Sequence, residues 1–321
     1  MKEILEQFSG KTILVIGDIM IDHYLYGSVS RQSPEAPVPV LLAKKDEYRL
    51  GGAANVSNNI LKLGGKVALV SMVGEDSNGE KLRQMLEAEG LNTDYLVTSS
   101  AYPTTEKLRV IDDHNKQLIR LDFEKTDDVH GVLEDELIAK FDEALKTADG
   151  VLISDYAKGV MSPRVTKYVI ERCGQKLCFI DPKPTHKDSY KGAFLITPNE
   201  KEAAEMAGVP SVTDENCNEV GNKLKNELDS SIVMTRGSKG MRIFHTDGGV
   251  FDIPTHAQTV FDVTGAGDTV VAAIALALSS GANIVNTCKI ANAAAQKVIE
   301  KFGTEVVSTE EILSILSKNN E

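Results

Sequence analysis

The chain has 321 residues, of which 42% are hydrophobic and 26% charged, a balance that suits one large α/β domain or two modest ones. Its net charge of −12 argues against general nucleic-acid binding, so an anionic substrate would have to meet a local basic site. The longest apolar run, Val270 to Leu278, is too short to cross a bilayer, and four cysteines (173, 178, 217 and 288) without a C-x-x-C pair point to a reducing cytoplasm.

Met1 to Phe8 mixes charges among its apolar residues and lacks a signal peptide's apolar core. Thr12 to Ile16 is a short β-branched run ending at Gly17-Asp18, and reads as a buried strand with polar groups at its carboxyl end. Gly10-Lys11-Thr12 imitates the end of a phosphate-binding P-loop, but Leu5 stands at the first glycine's place and the strand follows instead of preceding. No G-x-G-x-x-G follows this strand, which counts against a dinucleotide-dependent oxidoreductase. Asp22 to Tyr48 contains Ser33-Pro-Glu-Ala-Pro-Val-Pro39, too proline-rich for a helix or a central strand. Gly51-Gly52-Ala53-Ala54-Asn55 then opens a helix predicted over 53–63. Paired glycines allow a ligand to approach the backbone, and Asn55 offers a donor and an acceptor; a tight turn explains the same glycines.

Thr104 to Ile111 and Lys116 to Asp122 alternate as two strands joined by Asp112-Asp-His-Asn115, a hairpin signature. With the proline-rich stretch they are predicted to form a small discontinuous β-lid, about 20–48 and 102–123, over a cleft. Period-2 geometry puts Lys107 and Arg109 on one face and Leu108 and Val110 on the other. Such charges line a cleft or face solvent, and an exposed lid face would serve as a contact between two copies of the chain. Strands predicted at 150–154, 177–180, 194–197 and 231–235 alternate with helices at 133–146, 163–173 and 215–228. That spacing means βαβ units and a mostly parallel sheet with helices on both faces. Ligands collect beyond the carboxyl ends of such strands, where Asp18, Asp155, Asp181, Asn199 and Arg236 all fall. No internal repeat or linker interrupts the pattern, so a single domain over 1–321 is expected.

Three later motifs carry chemistry. Asp181-Pro182-Lys183 sets a lysine just past a strand end, where it pairs with a phosphate or reaches for water. Pro198-Asn199-Glu200-Lys201-Glu202 opens a helix, and two readings stand: a capping box between Asn199 and Glu202, or the same pair organising Mg²⁺ through its waters. Thr235-Arg-Gly-Ser-Lys-Gly240 is a glycine-spaced loop that holds phosphate oxygens or simply turns the chain. The most informative stretch is Asp262-Val-Thr-Gly-Ala-Gly-Asp268, running into the apolar helix former Thr269 to Leu278. A helix whose first turn is Gly-Ala-Gly presents bare amides and the positive end of its dipole, which suits phosphate. Asp268 there either complements the dipole or takes a proton from an attacking hydroxyl.

Through Gly51 to Asn55, Asn199-x-x-Glu202 and Asp262 to Asp268, taken in that order, the chain resembles the ribokinase-like (phosphofructokinase-B type) carbohydrate kinases over essentially its whole length. Longer stretches resemble the heptose 7-phosphate kinases of that family. They are Gly17 to Asp22, Ser30 to Val40, Lys107 to Val110, Gln117 to Glu124 and Ser154 to Gly159. The resemblance implies ATP-dependent phosphorylation of the C1 hydroxyl of D-glycero-β-D-manno-heptose 7-phosphate, on the way to ADP-heptose for lipopolysaccharide.

It also implies roles for residues. Asp268 would be the catalytic base, and the amides of Gly265, Ala266 and Gly267 the anion hole for the transferring phosphoryl group. Mg²⁺ would sit near Asn199 and Glu202, and Thr235, Gly237 and Gly240 would line the nucleotide side with Asn292 by the adenine. Asp18, Asp22, Gly51, Gly52 and Asn55 would meet sugar hydroxyls. Lys107, Arg109, Asp155, Lys158 and Lys183 would meet the sugar or its 7-phosphate. Many such kinases carry a fused adenylyltransferase; no H-x-G-H-like motif occurs before Glu321, so that activity is expected on another polypeptide or on a part removed from this one. The rival readings are a kinase of the same family for another sugar or a nucleoside, and a non-catalytic sugar- or nucleotide-binding protein of the same fold.

Overall fold

The computed structural model describes residues 1–255, 265–300 and 307–318; Asp262 to Thr264 of the late glycine motif lie outside the described residues. After the short α1 (Lys2–Glu6) comes β1 (Thr12–Gly17), buried on both faces: Ile13 and Val15 join one core, Leu14 and Ile16 the other. Two long strands follow, β2 (Ile19–Gln32) and β3 (Pro39–Gly52), then α2 (Ala53–Lys62), β4 (Lys66–Gly74), α3 (Ser77–Ala88) and β5 (Leu96–Ser99). A second hairpin, β6 (Glu106–Ile111) and β7 (Gln117–Phe123), leads to α4 (Val132–Leu145), β8 (Gly150–Ser154), α5 (Pro163–Cys173) and β9 (Leu177–Asp181). The chain continues through β10 (Leu195–Ile196), α6 (Glu200–Ala207), α7 (Cys217–Leu228), β11 (Ser231–Thr235), β12 (Met241–Phe244) and β13 (Val250–Ile253). It ends in α8 (Ala266–Ser279), α9 (Ile284–Ile299) and α10 (Thr309–Lys318).

Among the described residues nine strands form one sheet in the order β13-β12-β11-β10-β9-β8-β1-β4-β5. Its pairings are parallel except for the antiparallel β11-β12-β13 edge. The two cores divide the helices: α2, α3, α8, α9 and α10 pack on one face, α4 to α7 on the other. Because β1, β8 and β9 are crossed by helices on both sides, their carboxyl ends are where polar side chains can gather. All four cysteines are free and buried, and no helix among the described residues is long and apolar enough to cross a membrane.

A second sheet, ordered β3-β2-β6-β7, stands over those carboxyl ends. The proline-rich run Ser33 to Pro39, read in the sequence as neither helix nor central strand, lies where two strands of 14 residues each are joined. Pro34 and Pro37 fall in the connection between them, and Pro39 opens β3, an edge strand, so no interior ladder hydrogen bond is lost. The sheet is tied to the main body at Gly52, which has φ +59° and whose added Cβ would lie 2.3 Å from the Asp18 carbonyl oxygen. That carbonyl accepts from the Ala53 amide at 2.9 Å, so the turn starting α2 needs glycine for both conformation and space.

Candidate active site

Between the two sheets lies a cavity of about 1040 Å³. The four-stranded sheet contributes Asp22, Lys107, Arg109 and Arg120, and Gly52 lies at its root. The main sheet's carboxyl ends and the loops beyond them contribute Tyr156, Asp181, Lys183, Thr197, Asn199 and Thr235. The floor is the start of α8, Gly265 to Asp268, and the far end is closed by Asn292, Ala295 and Ile299 of α9.

α8 begins because Gly265 takes a left-handed N-cap conformation, φ +79°, which turns the chain into eleven consecutive buried residues from Asp268 to Leu278. Among the described residues no side chain caps this end, and its first residues line the cavity with the helix dipole behind them. Asp268 is 6% exposed. Its Oδ1 accepts from the Tyr156 hydroxyl at 2.6 Å and its Oδ2 from the Asn55 side-chain amide at 2.6 Å. Burial pushes its carboxyl up to about 6, with Asp22 adding to the rise, while the Tyr156 and Asn55 hydrogen bonds and Lys183 oppose it. A carboxylate at such a value is ionised at neutral pH yet basic enough to accept an alcohol proton.

Fifteen predicted residues line this one cavity: Asp22, Gly52, Lys107, Arg109, Lys183, Asn199, Glu202, Thr235, Gly237, Gly240, Gly265, Ala266, Gly267, Asp268 and Asn292. Five do not. Asp18 is spent on backbone: its carboxylate accepts from the amides of Tyr156, Lys158 and Val160 at 2.8, 3.2 and 3.0 Å. Burial and the neighbouring Asp155 raise it to about 6, with those three amides opposing. Asp155, fully buried, bonds His186 Nδ1 at 2.6 Å and the Tyr190 hydroxyl at 2.7 Å. Lys158 reaches away to Glu124 at 2.7 Å. Gly51 packs against Asp22 and Met20, and Asn55 acts through Asp268 instead of facing the cavity. Arg236, expected at the cleft as a strand terminus, is 6% exposed and joins Glu200 and Asp214.

The basic groups of the wall have acidic partners. Arg109 pairs with Asp22 at 2.6 Å, and Lys107 stands 3.7 Å from Asp122 and 3.6 Å from Glu124. Arg120 makes two hydrogen bonds to Asp122, at 2.8 and 2.9 Å. Lys107 faces Asp122 and Arg109 faces Arg120 across β6 and β7, so the three cations share the cavity face, as the two-residue period requires. Asn292 donates to the Pro254 carbonyl at 2.8 Å, tying α9 to the end of β13.

Asn199 and Glu202 form the capping box: the Glu202 amide meets Asn199 Oδ1 at 2.9 Å, and the Asn199 amide meets Glu202 Oε2 at 3.1 Å. Glu202 Oε1 takes Lys183 Nζ at 2.6 Å. Among the described residues no cluster of three or more acidic, His or Cys side chains is disposed to ligate a metal directly. One carboxylate and one amide on a polar wall fit a hydrated Mg²⁺ held mainly by phosphate oxygens, and do not fit an all-protein cage.

Arg120, Tyr156 and Asp181 line the cavity but were not among the site residues named from the sequence. Tyr156 stands two residues past the end of β8, in the Ser154 to Gly159 stretch, and only its contact with Asp268 reveals a role. Asp181 ends β9; desolvation first, then Asp268 and Glu202, push its carboxyl well above the ordinary range, with Lys183 opposing. Its signal was its place as a polar strand terminus.

A family model described as pfkB family carbohydrate kinase matches residues 11–311. The chain is 44% identical over 301 residues to the bifunctional protein HldE of Nitratiruptor sp., covering 94% of this chain and 64% of that protein. It is 41% identical over 315 residues to the bifunctional protein HldE of Caulobacter vibrioides, covering 97% and 64%. The chain thus spans less than two thirds of the length of these relatives. Among solved structures it is similar in fold to a ribokinase from Arabidopsis thaliana complexed with ribose and ATP, at a TM-score of 0.74 and 20% identity, covering 95% of this chain and 98% of that one. Phosphofructokinase-2 from Escherichia coli gives a TM-score of 0.79 at 18% identity, covering 97% and 99%. With the sheet order, the start of α8 on the cavity and the family match over nearly its full length, the chain belongs to the pfkB family of carbohydrate kinases.

Proposed function

We propose that the chain transfers the γ-phosphoryl group of ATP to the C1 hydroxyl of D-glycero-β-D-manno-heptose 7-phosphate, giving the 1,7-bisphosphate used for ADP-heptose and lipopolysaccharide. The observation that carries this reading is the shared cavity of Asp268, the glycine-rich start of α8 and the basic face of the four-stranded sheet. Phosphoryl transfer asks the protein for positioning and fixed dipoles more than covalent chemistry. Asp268 accepts the C1 hydroxyl proton as that oxygen attacks phosphorus in line. The amides of Gly265, Ala266 and Gly267 stabilise charge gathering on the transferred group. Thr235, Gly237, Gly240 and Asn292 line the nucleotide side. Asn199 and Glu202 would hold Mg²⁺ through its waters, and that ion neutralises phosphate charge when bound. Asp22 and Gly52 face the sugar, while Lys107, Arg109, Arg120 and Lys183 are the cations available to its 7-phosphate.

The four-stranded sheet is the lid in this reading. Its outward face carries Ile119, Leu121 and Phe123, at 51%, 40% and 51% exposure, which supports a homodimer formed lid to lid. A cytoplasmic location agrees with four free, buried cysteines. The nucleotidyl transfer that follows is assigned to a separate or further polypeptide segment. The test is an ADP-release panel containing the heptose 7-phosphate, fructose 6-phosphate, ribose and a nucleoside. The heptose phosphate should give the highest kcat/KM; a preference for an unphosphorylated sugar or a nucleoside would overturn the assignment.

A further inference from the structure

The turn after β8 is held more tightly than a connecting loop requires. Asp18 accepts from three of its amides, and Asp155 Oδ1 accepts from a fourth, that of Ala157, at 2.7 Å. His186 and Tyr190 in turn brace Asp155. Ala157 sits at φ +53°, a left-handed conformation that a non-glycine residue keeps only where its surroundings over-determine it. From this braced turn one side chain, Tyr156, enters the cavity, with Lys183 Nζ 5.2 Å from its ring centre. Its hydroxyl meets Asp268 Oδ1 while Asn55 meets Oδ2.

We propose that Tyr156 is a positioning residue for Asp268: its phenol fixes the carboxylate plane and keeps the group ionised while the acceptor alcohol binds the second lone pair of Oδ1. The inference rests on Asp268 being the base. A carboxylate oxygen offers two lone-pair sites, so Tyr156 and the sugar hydroxyl can share Oδ1. The alcohol O–H bond breaks toward Asp268, the new O–P bond forms, and the bond from phosphorus to ADP breaks, with Tyr156 unchanged. Tyr156 stays a donor throughout, because desolvation and the adjacent Asp268 hold its own phenol well above the ordinary range. The other charges acting on Asp268 are Asp22 from β2, Asp181 from the end of β9 and Lys183 just beyond it.

The experiment is Tyr156→Phe in the whole chain beside Asp268→Asn, both followed by ADP release from pH 5 to 9 at saturating substrates. Loss of one charge-assisted hydrogen bond predicts a fall in kcat of about 10- to 100-fold, with KM for ATP within about twofold. The acid limb of the kcat profile should move up by about 0.5–1 pH unit, because the removed donor had favoured the ionised carboxylate. The limb position does not depend on how much of the sample is folded, so it reads the idea even if the variant is less stable. An unchanged kcat, a higher kcat, or a fall with the limb unmoved each overturns the inference. If Asp268→Asn alone abolishes turnover in those cases, the base assignment survives without Tyr156. An active Asp268→Asn removes the base assignment itself.

Discussion

Replacing Asp268 by Asn should slow the enzyme and steady the fold at once. Burial raises this carboxyl from an ordinary 3.8 to about 6, with Asp22 contributing in the same direction. Two units of pKa correspond to about 3 kcal/mol that the folded state gives up when the group ionises. The penalty is absent below pH ~3.8, where folded and unfolded chains are both protonated. It grows as rising pH ionises the unfolded chain first, and is complete above about pH 6. Asn carries no charge but matches the two donors less well: Tyr156 can still donate to its oxygen, whereas the Asn55 amide would face a second amide nitrogen. That mismatch returns about 1 kcal/mol, leaving a net gain of about 1–3 kcal/mol at pH 8. With an unfolding entropy of about 2.1 cal/mol/K per residue, the gain reads as about 2–4 °C in Tm. Turnover should drop by ~10²–10⁴-fold with little change in KM for ATP, since the nearly isosteric amide keeps the cavity but cannot take the proton. Thermal melts at pH 8 and pH 5 and a coupled ADP-release assay measure both effects. Near-normal turnover refutes the base assignment, and a Tm gain equal at the two pH values refutes the electrostatic account of the site.

For the unaltered chain, kcat should fall as pH drops through about 6, where Asp268 takes up a proton, and a profile flat to pH 5 would contradict that assignment. Lys107→Ala, Arg109→Ala and Arg120→Ala should each raise KM for the phosphorylated sugar by about 5- to 50-fold while KM for ATP stays within about twofold, and equal effects on both substrates would return these cations to a structural role. Gly52→Ala should cost more than about 2 kcal/mol in urea unfolding, because the residue combines φ +59° with a Cβ placed 2.3 Å from the Asp18 carbonyl oxygen; a variant of unchanged midpoint would contradict the steric argument. If the proposed lid-to-lid dimer forms, Leu121→Asp or Phe123→Asp on the outward lid face should shift it to monomer by sedimentation without altering the main-sheet fold, and an unaltered sedimentation profile would contradict that interface.

Much of the site was readable because its residues follow elements with strong periodic signals. The Gly-Ala-Gly start of a largely apolar helix locates Asp268, and two-residue alternation on β6 puts Lys107 and Arg109 on one face, which in the structure is the cavity face. The long hairpin was legible as part of a β-lid but not in the bounds of its two strands. A chain pattern does not disclose that Pro34 and Pro37 sit in a connection and Pro39 on a sheet edge.

Local order in the chain determined which segments become buried strands and helices, and which strand ends carry polar groups, since hydrophobic period and glycine placement act over a few residues. Tertiary structure alone decided how those polar ends are used. Asp18, Asp155 and Asp268 look alike as acids near strand or helix termini, yet Asp18 is consumed by three backbone amides and Asp155 by His186 and Tyr190. Only Asp268 of these three opens on the cavity, held by Tyr156 and Asn55, residues 112 and 213 positions away. Such partnerships depend on which elements stack across the sheet, and hydrogen bonds between groups so distant in the chain leave no periodic trace in it.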